Sequence, residues 1–366
     1  MNPDVKYLIG LLKLKGVGST SVNKLVQHYG SAQAVLEEIP KENTENLKGI
    51  SQTVINSICG GPNWLEVEKE LLFIEKHDVQ CLPFMDENFP RRLKFCADAP
   101  ALLYYRGEVD FNHPKILAVV GTRRATPQGK KITEKIIADL VSQNVLIISG
   151  LAFGIDVVAH RSALENKLPT IGVLAHGLDR VYPAEHRKYA REIEQKGAML
   201  TEFTSGTKPD RENFPKRNRI VAGMADAILV VESQRTGGSM ITADLGFGYG
   251  RDVFAIPGRP GDTQSEGCNF LIRQNKASLI ESATDIKYLM NWREQPKPKQ
   301  IQKQLFVQLS TSEEQLINIL TEKRKLSLDE LCLTAGISIS QASVPLLTLE
   351  LNGMVRQLPG KVIELI

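Results

Sequence analysis

Glycines, hydroxyls and arginines gathered in short loops are the residues of this chain whose types and spacing could do chemistry. Gly121-Thr122-Arg123-Arg124-Ala125-Thr126-Pro127-Gln128-Gly129 follows an apolar run, Ile116–Val120, and precedes a helix expected from about Lys130. A glycine followed by hydroxyls at a helix start leaves backbone N–H groups pointing outward, a ready anion site. Arg123 and Arg124 add planar, fork-shaped cations suited to phosphate. A structural turn accounts for Gly121 alone but not for two adjacent arginines. The loop is no dinucleotide fingerprint: it lacks G-x-G-x-x-G, and no acidic residue closes the next apolar run, Val145–Ser149.

Three further segments carry the same kind of chemistry. Ser149-Gly-Leu-Ala-Phe-Gly-Ile-Asp156-Val-Val-Ala-His160 places Gly150 and Gly154 at another helix start. Asp156 and His160 share a helical face, but no third or fourth metal ligand accompanies them, so a hydrogen-bonded structural histidine is expected. Phe214-Pro-Lys216-Arg217-Asn-Arg219 joins an aromatic ring to three cations. Single-stranded nucleic acid needs that combination, cations for phosphates and a ring on which any base stacks. One of these arginines is expected to serve structure instead. Finally, Arg235-Thr-Gly237-Gly238-Ser239 supplies another glycine-rich loop, expected to line one groove with Gly121–Arg124. Several such loops along one edge form a track, which suits a polymer better than a mononucleotide. No Ser/His/Asp order, plausible carboxylate pair or Walker sequence stands out, so no catalytic residue, metal or cofactor is expected.

These loops need a scaffold. Between Lys115 and Glu281 apolar β-branched runs alternate with helix-length segments: Ile116–Val120, Val145–Ser149, Thr170–Ala175, Ala198–Glu202, Ala227–Glu232, Val253–Pro257 and Ser278–Glu281. Near-continuous hydrophobic strands mean a parallel sheet covered on both faces, hence a doubly wound, extended Rossmann-like α/β domain. A helix over Leu65–Lys76 and strand-like pieces at Gln80–Phe84 and Ala101–Arg106 are expected to extend that domain over residues 63–292. Upstream, Leu14-Lys-Gly-Val-Gly-Ser-Thr-Ser-Val-Asn-Lys-Leu25 is repeated as Leu47-Lys-Gly-Ile-Ser-Gln-Thr-Val-Ile-Asn-Ser-Ile58. The pattern predicts a duplicated helix-hairpin-helix (SAM-like) helical domain over residues 1–62, its glycines either approaching DNA phosphate or merely ending helices. A Pro/Lys/Gln-rich linker is expected at 293–304. Beyond it, capping-box spacings at Thr311-x-x-Glu314, Ser327-x-x-Glu330 and Ser338-x-x-Gln341 mark three helices. Runs Met354–Leu358 and Lys361–Ile366 flank a Pro359-Gly360 turn, giving a winged-helix layout over 305–366. Its third helix, expected at Ser340–Asn352, offers Gln341 and Asn352 but no Arg or Lys, so a protein-contact or regulatory module is expected rather than a duplex reader.

Composition bounds the rest. The chain has 366 residues, 42% hydrophobic and 24% charged, with a net charge of +3. That is a globular composition, and the charge is too small to name a partner. Five scattered cysteines without a CxxC pair argue against a disulfide framework or zinc site. No secretion signal or membrane-length apolar run is read, and a cytoplasmic location is expected.

The motifs AVVGTRRATPQG, ISGLAFGIDVVAHRSAL, VLAHGLDRVYPAEH, NFPKRNRIVAG, SQRTGGSMITADLGFGYGRDVFAIPG and EGCNFLIRQNKASLI together resemble the DNA-processing protein A (DprA/Smf) family across essentially the whole chain. The resemblance implies a homodimer formed through the Rossmann domain. It also implies binding of single-stranded DNA, protection of that DNA during natural transformation, and loading of the RecA recombinase. The first arginine of the family's glycine–serine–arginine motif corresponds to Arg123, with Thr122 in place of serine. Gly238 stands where serine is more usual, and Cys268 where threonine is. The competing reading is a nucleotide phosphoribohydrolase, which shares a Rossmann core and a Gly-Gly loop followed by a catalytic Glu. Here the comparable stretch Gly237–Asp244 ends in Asp244 without an evident general-acid partner.

Overall fold

A computed structural model describes residues 3–41, 49–292, 309–358 and 362–366. The expected linker at 293–304, Leu47 and Lys48 of the second repeat, the Pro359-Gly360 turn and Lys361 lie outside the described residues. The chain divides into two compact units, Met1–Arg293 and Glu294–Ile366.

Among the described residues the first unit opens with five α-helices: α1 (Val5–Lys13), α2 (Ser19–Tyr29), α3 (Ala32–Glu38), α4 (Gln52–Cys59) and α5 (Trp64–Lys76). The sequence repeat is visible in the backbone. Gly16 and Gly49, at equivalent positions, take the same left-handed conformation, with φ of 79° and 81°. Where the copies differ, the caps differ: Gly18 starts α2 with no side-chain bond, whereas the Ser51 hydroxyl accepts the Val54 N–H at the start of α4. The first four were expected to form a helical domain over residues 1–62, and α5 to belong with the sheet. Ile9, Leu25, Val35 and Ile58 of those four share one buried cluster with Leu102 and Met199 of the sheet. A helical segment this short buries more apolar surface against the sheet than it could alone.

The sheet has nine strands: β1 (Gln80–Pro83), β2 (Leu102–Gly107), β3 (Ile116–Val120), β4 (Leu146–Ser149), β5 (Thr170–Val173), β6 (Gly197–Thr201), β7 (Ala227–Val230), β8 (Asp252–Ala255) and β9 (Ser278–Leu279). Their order is β1-β2-β6-β5-β4-β3-β7-β8-β9. The seven from β6 to β9 run parallel, and β2 and β1 add antiparallel at one edge. The helices between strands are α6 (Arg91–Lys94), α7 (Pro127–Asp139), α8 (Ile155–Glu165), α9 (Arg187–Lys196), α10 (Asn213–Met224), α11 (Gly238–Gly248) and α12 (Glu266–Arg273), and α13 (Ala283–Leu289) follows β9. Both sheet faces are covered, as the continuous apolar runs require. Ile116, Ala118 and Val120 of β3 face the cluster under α10 and α11, while Leu117 and Val119 face the cluster under α7 and α8. From β3 the chain winds one way through β4, β5 and β6, then returns to β7 on the other side. The crevice beyond β3 and β7 is thus a topological switch point, where doubly wound sheets place ligands.

The second unit contains α14 (Thr311–Lys323), β10 (Lys325–Ser327), α15 (Leu328–Ala335), α16 (Ile339–Leu351), β11 (Val355–Leu358) and β12 (Val362–Leu365). Three helices over a small sheet of order β10-β12-β11 make a winged helix around its own core of Leu316, Leu331 and Leu349. The capping boxes at Ser327 and Ser338 form, but the first falls one residue earlier than expected, at Ser310 with Glu313. Among the described residues no single helix is long and apolar enough to cross a membrane.

Candidate nucleic-acid interface

A cleft of about 500 Å³ opens at the switch point. Its walls are the loops after β3, β4 and β7 and one side of α10.

The β3 loop is held from beneath. Glu232, just past β7, accepts both the N–H of Thr126 (2.9 Å) and its hydroxyl, and its carbonyl accepts the Thr122 N–H at 2.7 Å. The Thr126 hydroxyl in turn caps the next helix by accepting the Gly129 N–H. That helix therefore begins at Pro127 rather than near Lys130, because a Thr cap followed by proline is preset for a first turn. The Thr122 carbonyl accepts the Ile155 N–H, tying the loop to α8. With its backbone fixed, the loop turns Arg123 and Arg124 outward, both exposed on the cleft.

The β4 loop is glycine-bound for steric reasons. A Cβ on Gly150 would strike the Arg217 guanidinium and fall within 2.5 Å of the Asp156 carboxylate. At Gly154, φ is 81° and a Cβ would strike the Thr122 carbonyl. Gly154 consequently lies not on the main cleft but on an adjoining hollow of about 400 Å³, with Arg124, Lys130, Phe153 and Arg161.

The basic stretch on α10 separates into three fates. Arg217 turns inward: only 6% exposed, it donates to the Val173 carbonyl and the Asn218 side chain and forms part of the cleft floor. Burial pushes the neighbouring Asp156 carboxyl up, and Arg217 beside it pulls it back down. Lys216 points to solvent, 4.0 Å from Glu212, and does not line the cleft. Arg219 is taken out of the expected strip altogether, because it is bound to the Glu202 carboxylate and the Asp98 carbonyl on the far side of the helix. It is a structural arginine, and the more deeply buried Arg217 is a second. Phe214 remains at the rim, and the Arg123 guanidinium lies 5.1 Å from its ring centre.

The third wall is the β7 loop. Gly237, Gly238 and Ser239 all line the cleft, where Asn218 donates to the Gly238 carbonyl (3.1 Å) and the Ser239 and Ser233 hydroxyls bond at 2.8 Å. The cleft thus presents three guanidiniums against one carboxylate, together with hydroxyls and bare backbone. That arrangement grips anions. His160 is buried, with one ring nitrogen on the Gly150 carbonyl (2.6 Å) and the other on the Thr170 hydroxyl (2.7 Å). Asp244, the residue a phosphoribohydrolase reading would use, bonds Lys276 at 2.7 Å and does not line the cleft. Among the described residues no group of three or more His, Cys, Asp or Glu converges as a metal site would.

Sequence reasoning missed two aromatics. Phe153 and Tyr182, 44% and 46% exposed, stand with Phe214 and Arg123 around a shallow annex of the cleft. Phe153 could have been found, since a phenylalanine between Ala152 and Gly154 in a turn has no helical or strand face to bury it. Tyr182 lies in a long connection whose course only the fold reveals.

Comparison with known proteins gives a consistent result. A family model described as DNA recombination-mediator protein A matches residues 80–291, and one described as DprA winged helix domain matches residues 301–361. Protein Smf of Synechocystis is 32% identical, with 98% of each chain covered. DNA processing protein DprA of Streptococcus pneumoniae is 34% identical over 76% of this chain and 96% of its own. The X-ray structure of the pneumococcal protein superposes with a TM-score of 0.68 at 33% identity, covering 77% of this chain and 97% of that one. A structure of DNA processing protein A from Helicobacter pylori, described for its single-stranded DNA binding mode, gives 0.53 at 30% identity, covering 58% of this chain and 95% of that one.

Proposed function

The chain belongs to the DNA recombination-mediator protein A family, and on that premise we propose that it binds single-stranded DNA in the switch-point cleft without sequence preference. The observation that carries this reading is the union, in one cleft, of exposed Arg123 and Arg124, the Phe214 ring and the glycine-lined β7 loop. The guanidiniums and backbone N–H groups take phosphates, which every nucleotide has. The rings take base faces, which every base has. These contacts are the same for every nucleotide, so the protein discriminates strand from duplex and not one sequence from another.

The protein acts as a mediator rather than an enzyme: it shields incoming strands in natural transformation and hands them to the RecA recombinase, in the cytoplasm and without a cofactor. It works as a homodimer joined through the Rossmann-like domain. Exposed Leu279 on the terminal strand β9 and exposed Leu289 on α13 support that mode, since an open strand edge with apolar neighbours is a pairing surface.

The test is fluorescence anisotropy with labelled oligo-dT, a mixed-sequence strand and a duplex. Comparable affinity for the two strands, weaker duplex binding and a log K against log salt slope of about −0.7 per phosphate are expected. Equal affinity of wild type and Arg123→Glu for oligo-dT would remove the β3 loop from the site. Release of free base from nucleoside monophosphates would favour the phosphoribohydrolase reading instead.

A further inference from the structure

A second cleft, of about 570 Å³, opens on the other side of the β7 loop. Its centre is Phe270 of α12, with the Arg235 guanidinium 4.0 Å from the ring centre and that of Arg273 at 5.8 Å. Both arginines are exposed, and among the described residues neither is held by a carboxylate. Gly258 and Gly261 form the opposite wall. The Asn269 side chain fixes it, accepting the Gly258 N–H at 3.1 Å and donating to the Gly258 carbonyl at 3.0 Å. One acid, Glu266, stands at the rim.

The two clefts share a wall. Gln234, Thr236, Gly237 and Gly238 line the main cleft, while Arg235, between them, lines the second. The loop is anchored rather than loose: the Ser233 N–H donates to the Gln264 carbonyl (2.7 Å), and the Ser233 carbonyl accepts the Gly267 N–H (2.8 Å). A chain leaving the main cleft over Gly237 therefore meets Arg235 next. A ring flanked by two unpaired guanidiniums suits the same repeating ligand as Arg123 on Phe214, phosphates on the cations and a base against the stack.

We propose that Arg235, Phe270 and Arg273 form a second subsite on the same single strand, engaged only when the strand is long enough to cross the β7 loop. This rests on the single-strand reading of the main cleft. The test measures affinity for oligo-dT from about 4 to about 16 nucleotides, the range over which such sites fill. Wild type, Arg235→Ala/Arg273→Ala and Phe270→Leu are compared. For wild type the affinity rises with length. In both variants the short oligomer binds as in wild type, while the long one loses on the order of tenfold. In the double variant the salt slope for the long oligomer also falls by about 1.4, or about 0.7 for each of two phosphates. A length gain and slope unchanged in both variants overturn the subsite alone, as does an equal loss at every length. Failure of wild type to bind any oligomer overturns the single-strand reading with it.

Discussion

Arg123 and Arg217 border the same cleft, yet their removal should have different consequences. Arg123 is exposed and lies against Phe214, so Arg123→Ala takes a cation from the ligand and little from the fold. We expect oligo-dT affinity to fall about tenfold with no change in melting temperature. Arg217 is buried near Asp156, and Arg217→Met removes the stronger of the two cations acting on that carboxylate together with the hydrogen bond to the Val173 carbonyl. A hydrogen bond from a charged group is worth about 1.5–3 kcal/mol. This variant should lose both binding and a large part of its thermal stability, and thermal denaturation beside anisotropy separates the two. Gly238 offers a milder test. A Cβ there would meet only the Asn218 amide, at 3.6 Å, so Gly238→Ser fits and adds a hydroxyl to the cleft. Unchanged or tighter binding is expected by the same assay, and weakened binding would mean the β7 loop needs its glycine. The sequence showed that this stretch of α10 was cationic but not which cations were free. A signal was present, because Arg217 precedes Ile220, Val221 and Met224 by three, four and seven residues and so shares their buried face. Arg219 carried no such signal: its partners Glu202 and Asp98 are far off in the sequence.

At the scale of elements, the alternation of apolar runs with helices was legible because parallel strands buried on both faces leave no polar alternation to confuse them. Their ends were less so. The expected strands Thr170–Ala175, Ala227–Glu232 and Val253–Pro257 end at Val173, Val230 and Ala255, since the chain stays buried after it leaves the ladder. The residues just beyond, Glu232 among them, hold the site loops instead. Helix α8 shows a second consequence of such burial. His160 ties it to the β4 loop and to β5, and burial pulls its imidazole down to about 4 from 6.5, against the raising effect of the Gly150 carbonyl. An unfolded chain binds a proton at this residue below about 6.5, the folded one only near 4, so stability is complete above 6.5 and is lost as pH falls through that window. At about 1.4 kcal/mol per pH unit the full loss is about 3 kcal/mol. Denaturant titrations at pH 7 and pH 4.5 should show the drop, and His160→Asn should shrink it. Part will remain, because burial also lowers His176. An equal drop in the variant would assign the pH dependence elsewhere.

At the scale of the whole molecule, the two compact units divide the work. The cleft, its basic loops and the aromatic rim all belong to Met1–Arg293, while the winged helix has its own core. Helix α16 stands where winged helices usually present cations to a major groove, but it offers exposed Val344, Leu347 and Leu351 with Glu350 among them. A duplex reader must neutralise phosphates and donate to base edges, and aliphatic side chains do neither. Truncation after residue 293 should therefore leave oligo-dT affinity within about twofold of the full chain, a change smaller than the loss of one stacked base. The complementary fragment 305–366 should show no shift of a labelled duplex at physiological salt. Retention of that duplex by the fragment, with a salt slope of several phosphates, would make the winged helix a DNA-binding unit after all and would move part of the molecule's affinity out of the cleft.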